Sequence, residues 1–177
     1  MALPITLSEI GPRISAGAYI LNSGLGKRAA DEQTAAGLHG FATGTYPFLQ
    51  GVEPRQFVRA LSTAEIAVGA ALLTPFVPTA LAGAALTGFA GGLLGLYLRT
   101  PGMRKEGSLA PTEQGLSIAK DVWLLGIGVG LLTRGTVDRG DRRVARAGRT
   151  LAKANRRVSR AERKAERKAE RRLARAA

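Results

Sequence analysis

The sequence predicts an all-α protein: an integral membrane four-helix bundle with a basic, helical C-terminal tail. Apolar runs long enough to cross a bilayer recur through residues 1–133, which carry a net charge of only +1. Residues 134–177 then hold seventeen Lys and Arg against five Asp and Glu, a net charge of +12. We therefore expect two regions, a bundle over residues 1–137 and a basic tail over 138–177.

The clearest predicted span covers residues 78–98, which are 21 residues without a charge. A helix of this length is ~31 Å long, which matches the hydrocarbon core of a bilayer. A second span is predicted at residues 56–77, where Glu65 is the only charge after the first turn. Because Pro75 and Pro78 bracket a tight turn, these two spans are expected to form a hairpin.

The other two predicted spans differ in strength. Residues 114–133 form an apolar run that is charged only at Lys120 and Asp121. Residues 8–27 form the first span, in which only 13 residues separate the two basic side chains. That distance is short for a crossing, so the first helix must begin upstream, through Glu9.

Residues 31–51 predict a short amphipathic helix at the membrane surface between the first two spans. Its apolar side chains Leu38, Phe41, Phe48 and Leu49 fall roughly on one helical face.

Glycines spaced four residues apart predict close packing of the spans, because small residues let helix backbones approach in lipid. The same faces make a homo-oligomer a candidate assembly. The pairs are Gly88 and Gly92, Gly91 and Gly95, and Gly126 and Gly130.

The basic tail decides the predicted orientation. With a cytoplasmic C-terminus, eight basic residues flank the spans inside and seven outside, which is no clear bias. Moving the tail outward would oppose the membrane potential by ~2.3 kcal/mol per charge per 100 mV. Both termini are therefore expected in the cytoplasm.

Four polar residues are predicted to meet in the outer half of the bundle: Asn22, Glu65, Lys120 and Asp121. Ionisable groups inside a membrane are costly unless paired, so we expect Glu65 to pair with Lys120. No equivalent cluster is expected in the inner half. The pair could fix helix register, or it could belong to a polar pocket for a quinone-like head group or a proton.

Composition excludes several kinds of chemistry. The chain has no cysteine, which rules out disulfides, thiolate catalysis and thiolate metal sites. Its single histidine, His39, argues against a histidine metal site within one chain. No motif resembles a nucleotide-binding loop or a catalytic triad.

The tail is expected to be a helix with a basic surface. Val144, Leu151 and Val158 recur every seven residues, a seam too thin for a stable coiled coil. The basic side chains suit anionic lipid, at ~1 kcal/mol per residue near the surface. An acidic soluble partner is the next alternative, and nucleic acid is last because the tail has no aromatic platform. The residues expected to make these contacts are Arg142, Arg143, Arg146, Arg149, Arg156 and Arg157.

Glycines and single charges at helix ends form a recognisable pattern along the chain. The first helix opens on Arg and Gly and closes on Gly followed by Lys. The second carries Glu then Gly, and the last begins near a Lys and ends in Gly before Asp. These residues are Arg13, Gly17, Gly26, Lys27, Glu65, Gly69, Lys120, Gly135 and Asp138. On them, the chain resembles the DoxX family of small four-helix bacterial membrane proteins.

The resemblance implies a multi-pass protein of the bacterial plasma (inner) membrane. The family's namesakes are linked to thiosulfate:quinone oxidoreduction, so it implies a membrane anchor or subunit of a redox-related, quinone-linked assembly. A quinone would be a non-covalent ligand, and a soluble redox partner or another subunit would bind at the cytoplasmic face. The family offers no settled catalytic motif to transfer, and the long tail departs from its compact pattern. Two alternatives stay open: a stand-alone quinone-linked oxidoreductase, and a structural scaffold.

Overall fold

The computed structural model describes the backbone of residues 5–176, and the side chains of that range except at positions 138, 139, 142, 157–159 and 161–176. The described residues form helices and no strands, which confirms the all-α class. They divide into two compact units, one up to Gly135 and one from Thr136 onward. The helices are α1 Leu7–Arg28, α2 Glu32–Thr45, a short 3-10 helix Pro47–Leu49, α3 Pro54–Leu73, α4 Thr79–Arg99, α5 Glu113–Ala119 and α6 Val122–Ala176.

Among the described residues, three helical segments are long and apolar enough to cross a membrane. They are α3, α4 and the segment Glu113–Val137, which joins α5 to the start of α6. The predicted first span corresponds to α1, which is helical but is not one of the three. The polar Glu9 and Arg13 lower its hydropathy, so the crossing of α1 remains a proposal.

Two element boundaries differ from the prediction. The second span was expected to reach residue 77, but α3 ends at Leu73 because Pro75 disfavours the helical conformation in the residue before it. The predicted span 114–133 is interrupted at Lys120 and Asp121, between α5 and α6. There the Asp121 amide donates to the Ile118 carbonyl, three residues back, which tightens the turn.

Helices α1 and α3 approach closely at three glycines. A side chain at Gly69 would place its Cβ 2.7 Å from the backbone nitrogen of Leu21. One at Gly17 would lie 3.1 Å from the Gly69 carbonyl oxygen, and one at Gly24 would lie 2.9 Å from the Glu65 Cβ. The two backbones are therefore in near contact along the interface, which only glycine permits.

Glycines also join α4 to α6, but at other positions than predicted. Side chains at Gly83, Gly128 and Gly135 would collide with the opposite helix. By contrast, a Cβ would meet open space at the predicted Gly88, Gly91, Gly92, Gly126 and Gly130, whereas at the sixth predicted glycine, Gly95, it would collide with the Tyr46 side chain. The pairs that meet another helix, Gly17 with Gly24 and Gly128 with Gly135, are seven residues apart, so the expected four-residue spacing was wrong. Seven residues are two full helical turns, which keeps both glycines on one narrow stripe.

Arg13 ties the start of α1 to the end of α3. Its side chain is only 2 % exposed, and all five of its N–H groups find acceptors. Nε donates to the Leu72 carbonyl at 2.8 Å, Nη1 to Val77 O and Thr79 Oγ1, and Nη2 to Ala71 O and Thr74 O. Arg13 thus satisfies the carbonyls that a helix end and a tight turn leave without partners.

A buried carboxylate lies beside this guanidinium. Glu9 is 1 % exposed, and its Oε2 accepts from the Thr6 backbone nitrogen at 2.8 Å. Its Oε1 lies 3.9 Å from Nε of Arg134. The expectation that only one end of the bundle carries a polar cluster was therefore wrong. Glu9 and Arg13 stand near the start of α1, where Arg13 contacts the α3–α4 hairpin and Arg134 of α6 lies near Glu9.

We predict that Arg13→Met lowers the free energy of unfolding by ~3–5 kcal/mol, because it leaves buried carbonyls and the Glu9 carboxylate uncompensated. Thermal unfolding in mild detergent measures this loss. Arg55→Gln is the matched control: Arg55 pairs with Glu32 at 2.7 Å, but both side chains are exposed. That change should cost ~0–1 kcal/mol. Equal losses for the two variants would contradict the role given to Arg13.

Candidate functional site: a cavity with a charged wall

A cavity of about 460 Å3 opens within the first unit. Helices α1, α3 and α4 line it, together with α2 and the 3-10 helix on one side and the α5–α6 break on another. Most of its wall is apolar and aromatic, with Phe41, Tyr46, Phe57 and Phe89 among the lining residues. The volume falls within the ~300–1,000 Å3 range of small-molecule sites in proteins.

The polar part of the wall is built around an ion pair. Nζ of Lys27 lies 2.9 Å from Oε1 and 3.0 Å from Oε2 of Glu65, and it also donates to Oγ of Ser23 at 2.7 Å. The Lys27 side chain is 23 % exposed and the Glu65 side chain 5 %. Three acceptors use the three protons of the ammonium group, so the pair is internally satisfied.

Local sequence explains how these groups meet. Ser23 and Lys27 are four residues apart, so they share one face of α1. On α3, Ser62 is fully buried and its Oγ donates to the Gly24 carbonyl at 2.7 Å. Because Gly24 lets α3 come this close, Glu65 lies one turn further along α3, within reach of Lys27.

Asp121 is the second carboxylate in the cavity wall, and it lies outside the Lys27–Glu65 ion pair. It lies at the break between α5 and α6, is 8 % exposed, and lines the cavity. Within the described part of the chain, its carboxylate accepts no hydrogen bond, although it interacts electrostatically with Lys120, Lys27 and Glu65. A buried acceptor that faces a cavity without a donor is available to a ligand.

The structure brings together two of the four residues predicted to cluster. Glu65 and Asp121 both line the cavity, whereas Asn22 is exposed on α1 and does not line it. Lys120 is also exposed, and its ammonium lies 5.7 Å from the centre of the Tyr19 ring, a cation–π contact.

The expected partner of Glu65 was wrong, because Lys27 and not Lys120 forms the ion pair. Depth alone suggested Lys120, but the break after α5 turns Lys120 outward and Asp121 inward. Lys27 was available in the sequence as a residue of α1. Its four-residue spacing from Ser23 places both side chains on one face of α1. Identifying Glu65 as the partner of Lys27 also requires knowing that α1 packs against α3.

The predicted amphipathic helix exists as α2, and it forms a wall of the cavity. Leu38, Phe41 and Leu49 line the cavity, whereas Phe48 is 78 % exposed and does not. Oη of Tyr46 donates to the Gly92 carbonyl at 2.8 Å, which fastens this segment to α4.

The second unit is helical as predicted. The side chains of Arg143, Arg146, Arg149 and Arg156 are exposed. Those of Arg142 and Arg157, which were also expected to contact lipid or a partner, lie outside the described residues, as does Val158.

Comparison with protein-family models, curated proteins and solved structures finds no match to this chain. Among the described residues, no group of three or more His, Cys, Asp or Glu could hold a metal ion. The cavity and its charged wall are therefore the features from which we infer function.

We predict that Lys27→Met lowers the free energy of unfolding by ~3–5 kcal/mol, since it leaves the Glu65 carboxylate buried and unpaired. Adding Glu65→Gln should recover much of that loss. Lys120→Met is the control and should cost ~0.5–1 kcal/mol, the value of an exposed cation–π contact. Thermal unfolding of the four proteins in one detergent tests the assignment, which fails if Lys120→Met is the more damaging change.

Proposed function

We propose that this chain is an integral membrane protein whose helix bundle binds a quinone-like amphiphile. In this proposal it serves as a membrane anchor or subunit of a quinone-linked redox assembly in the bacterial plasma membrane. The observation that supports it is the cavity, which combines aromatic walls with a buried carboxylate, Asp121, that accepts no hydrogen bond from the described residues. The resemblance of residues 10–138 to the DoxX family points to the same quinone-linked context.

The outer surface of the first unit supports insertion into lipid. Large apolar side chains on several helices are exposed rather than packed inside, which is favourable against acyl chains and costly in water. They include Ile14 and Leu25 on α1, Leu81 on α4, Leu116 on α5, and Val122 and Trp123 on α6. With α1 as a fourth, less apolar crossing, the four-helix membrane bundle accounts for all of these surfaces.

The cavity walls suit a flat, lipid-soluble ring. Phe41, Phe57 and Phe89 offer aromatic surface, against which a ring can stack or pack edge to face. A phospholipid acyl chain would fill the same space but would leave the Asp121 carboxylate without a partner. The charged wall therefore favours a ligand with a polar head and an apolar body over a pure hydrocarbon.

Asp121 suits the two forms of a quinone. A carboxylate accepts a hydrogen bond from a hydroxyl, and a protonated carboxyl donates one to a carbonyl. A quinone presents carbonyls and its reduced form presents hydroxyls, so one residue can bind both. We assign this chain the binding and positioning of the quinone, and leave electron transfer to the other members of the assembly.

A structural scaffold is the second candidate, and the Lys27–Glu65 pair favours it. That pair is satisfied without any ligand and fixes α1 against α3. The two proposals differ in one respect, because only the first requires the cavity to hold a small molecule.

We predict that Gly88→Phe displaces the ligand and that Gly91→Phe does not. A Cβ at either glycine of α4 meets nothing within 4 Å, but only Gly88 lines the cavity. The two variants thus add the same ring to the same helix, one inside the site and one outside. Native mass spectrometry of protein extracted gently from its own membrane should show a quinone mass on the wild type and Gly91→Phe, and a loss of at least about tenfold for Gly88→Phe.

Asp121→Asn tests the head-group contact in the same experiment. Asparagine has nearly the same size as aspartate, but its oxygen only accepts and its nitrogen only donates a hydrogen bond, whereas one carboxyl oxygen can do either. Quinone retention should therefore fall, while the thermal unfolding temperature stays the same. If the wild type carries no quinone, or if the two phenylalanine variants retain it equally, the cavity is not a quinone site and the scaffold proposal stands.

A further inference from the structure

The charge of the second unit is concentrated in one segment of its helix. Residues 142–161 contain eight Lys and Arg and not one Asp or Glu. The members whose side chains are described are all exposed, and none of them pairs with a carboxylate of the described residues. They are Arg143, Arg146, Arg149, Lys153, Arg156 and Arg160.

These six residues share one side of the helix. At 100° per residue they fall within an arc of about 140°, which we call the basic face. Val144 and Leu151 lie on the opposite side, 73 % and 66 % exposed. A charge distribution this one-sided suits an extended, flat, negatively charged surface better than a small anion.

We propose that the basic face binds the anionic lipid surface of the membrane in which the bundle is proposed to sit. This inference rests on the membrane insertion proposed above. The candidate span Glu113–Val137 ends a few residues before Arg143, so that surface is within reach at high effective concentration. Clusters of Lys and Arg directly after a membrane span are typical of binding to anionic head groups.

Nucleic acid presents the same phosphate groups, but the tail lacks the aromatic side chains that would stack on the bases. Residues 134–177 contain no Phe, Tyr or Trp, so no side chain can stack on a base. Phosphate contact alone, without stacking, gives only weak non-specific binding at physiological salt. Lipid phosphates are already concentrated beside the tail, so we expect the tail to bind them in preference to nucleic acid.

Helix α6 is continuous through residue 140, so surface binding requires this helix to bend or open after the last apolar segment. Gly140 lies between that segment and the basic face. Glycine is the weakest helix former after proline, so a turn costs least there. Because the contact is electrostatic, it should weaken as salt shortens the ~8 Å screening length.

The absence of cysteine makes a direct test available. A single Thr150→Cys substitution, within the arc of the basic face, accepts an environment-sensitive fluorophore at one known position. The full chain is reconstituted in nanodiscs of zwitterionic lipid alone, or with phosphatidylglycerol added. We expect a blue shift only in the discs that contain phosphatidylglycerol, reversed by high salt.

Charge variants separate lipid binding from other causes of a shift. The triple change Arg146→Gln, Arg149→Gln and Lys153→Gln should move the equilibrium about a hundredfold toward the free tail, at about fivefold per basic residue. Glutamine keeps a helix propensity similar to that of arginine and lysine. The matched control Arg146→Lys with Arg149→Lys keeps the charge, and the blue shift should persist.

Three results would overturn the proposal: the same fluorescence in both kinds of disc, a shift that survives the glutamine changes, or a larger response to a DNA duplex or an RNA strand than to phosphatidylglycerol. Incorporation into the zwitterionic discs is the separate check on membrane insertion. If the chain fails to enter these discs, the proposed membrane insertion is refuted. If it enters them but shows no response to anionic lipid, only the proposed role of the tail is refuted.

Discussion

The glycine contact between α1 and α3 is the constraint on which the rest of the bundle depends. Gly17, Gly24 and Gly69 bring the two backbones together, and a cation closes each end of the interface, one buried and one partly exposed. Arg13 binds the end of α3 and the following turn at one end, and Lys27 binds Glu65 at the other. Buried charges in apolar surroundings are tolerated only when paired, so these contacts leave little freedom in the register of α1 against α3.

Once that register is set, the geometry of the cavity follows. The α1–α3 pair presents Ser23, Lys27 and Glu65 on one side, and α2 folds over the opening with Tyr46 bonded to α4. The break after α5 then adds Asp121. The satisfied Lys27–Glu65 pair stabilises the fold, whereas the Asp121 carboxylate beside it is the group that we propose contacts a ligand.

The helices and their hairpin could be predicted from local patterns, because apolar length and proline position act within one segment. The turn at Pro75 and Pro78 and the burial of Glu65 are of this kind. The contacts between side chains of different helices depend on which helices are neighbours. The depth of a residue along its span does not reveal this. Hence Lys120 was chosen over Lys27, Asn22 was placed inside, and close packing was predicted at other glycines than those that meet another helix.

A quinone site inside the bundle is tested most directly by photolabelling in the membrane with a photoreactive quinone analogue, followed by identification of the labelled peptides. A quinone site inside the bundle predicts adducts around Phe41 and Phe89, which line the cavity from α2 and α4, and these adducts should be suppressed by excess unmodified quinone. Labelling confined to exposed positions such as Trp123, or unaffected by the competitor, would show that quinone meets this protein only from the lipid and would contradict a site inside the bundle.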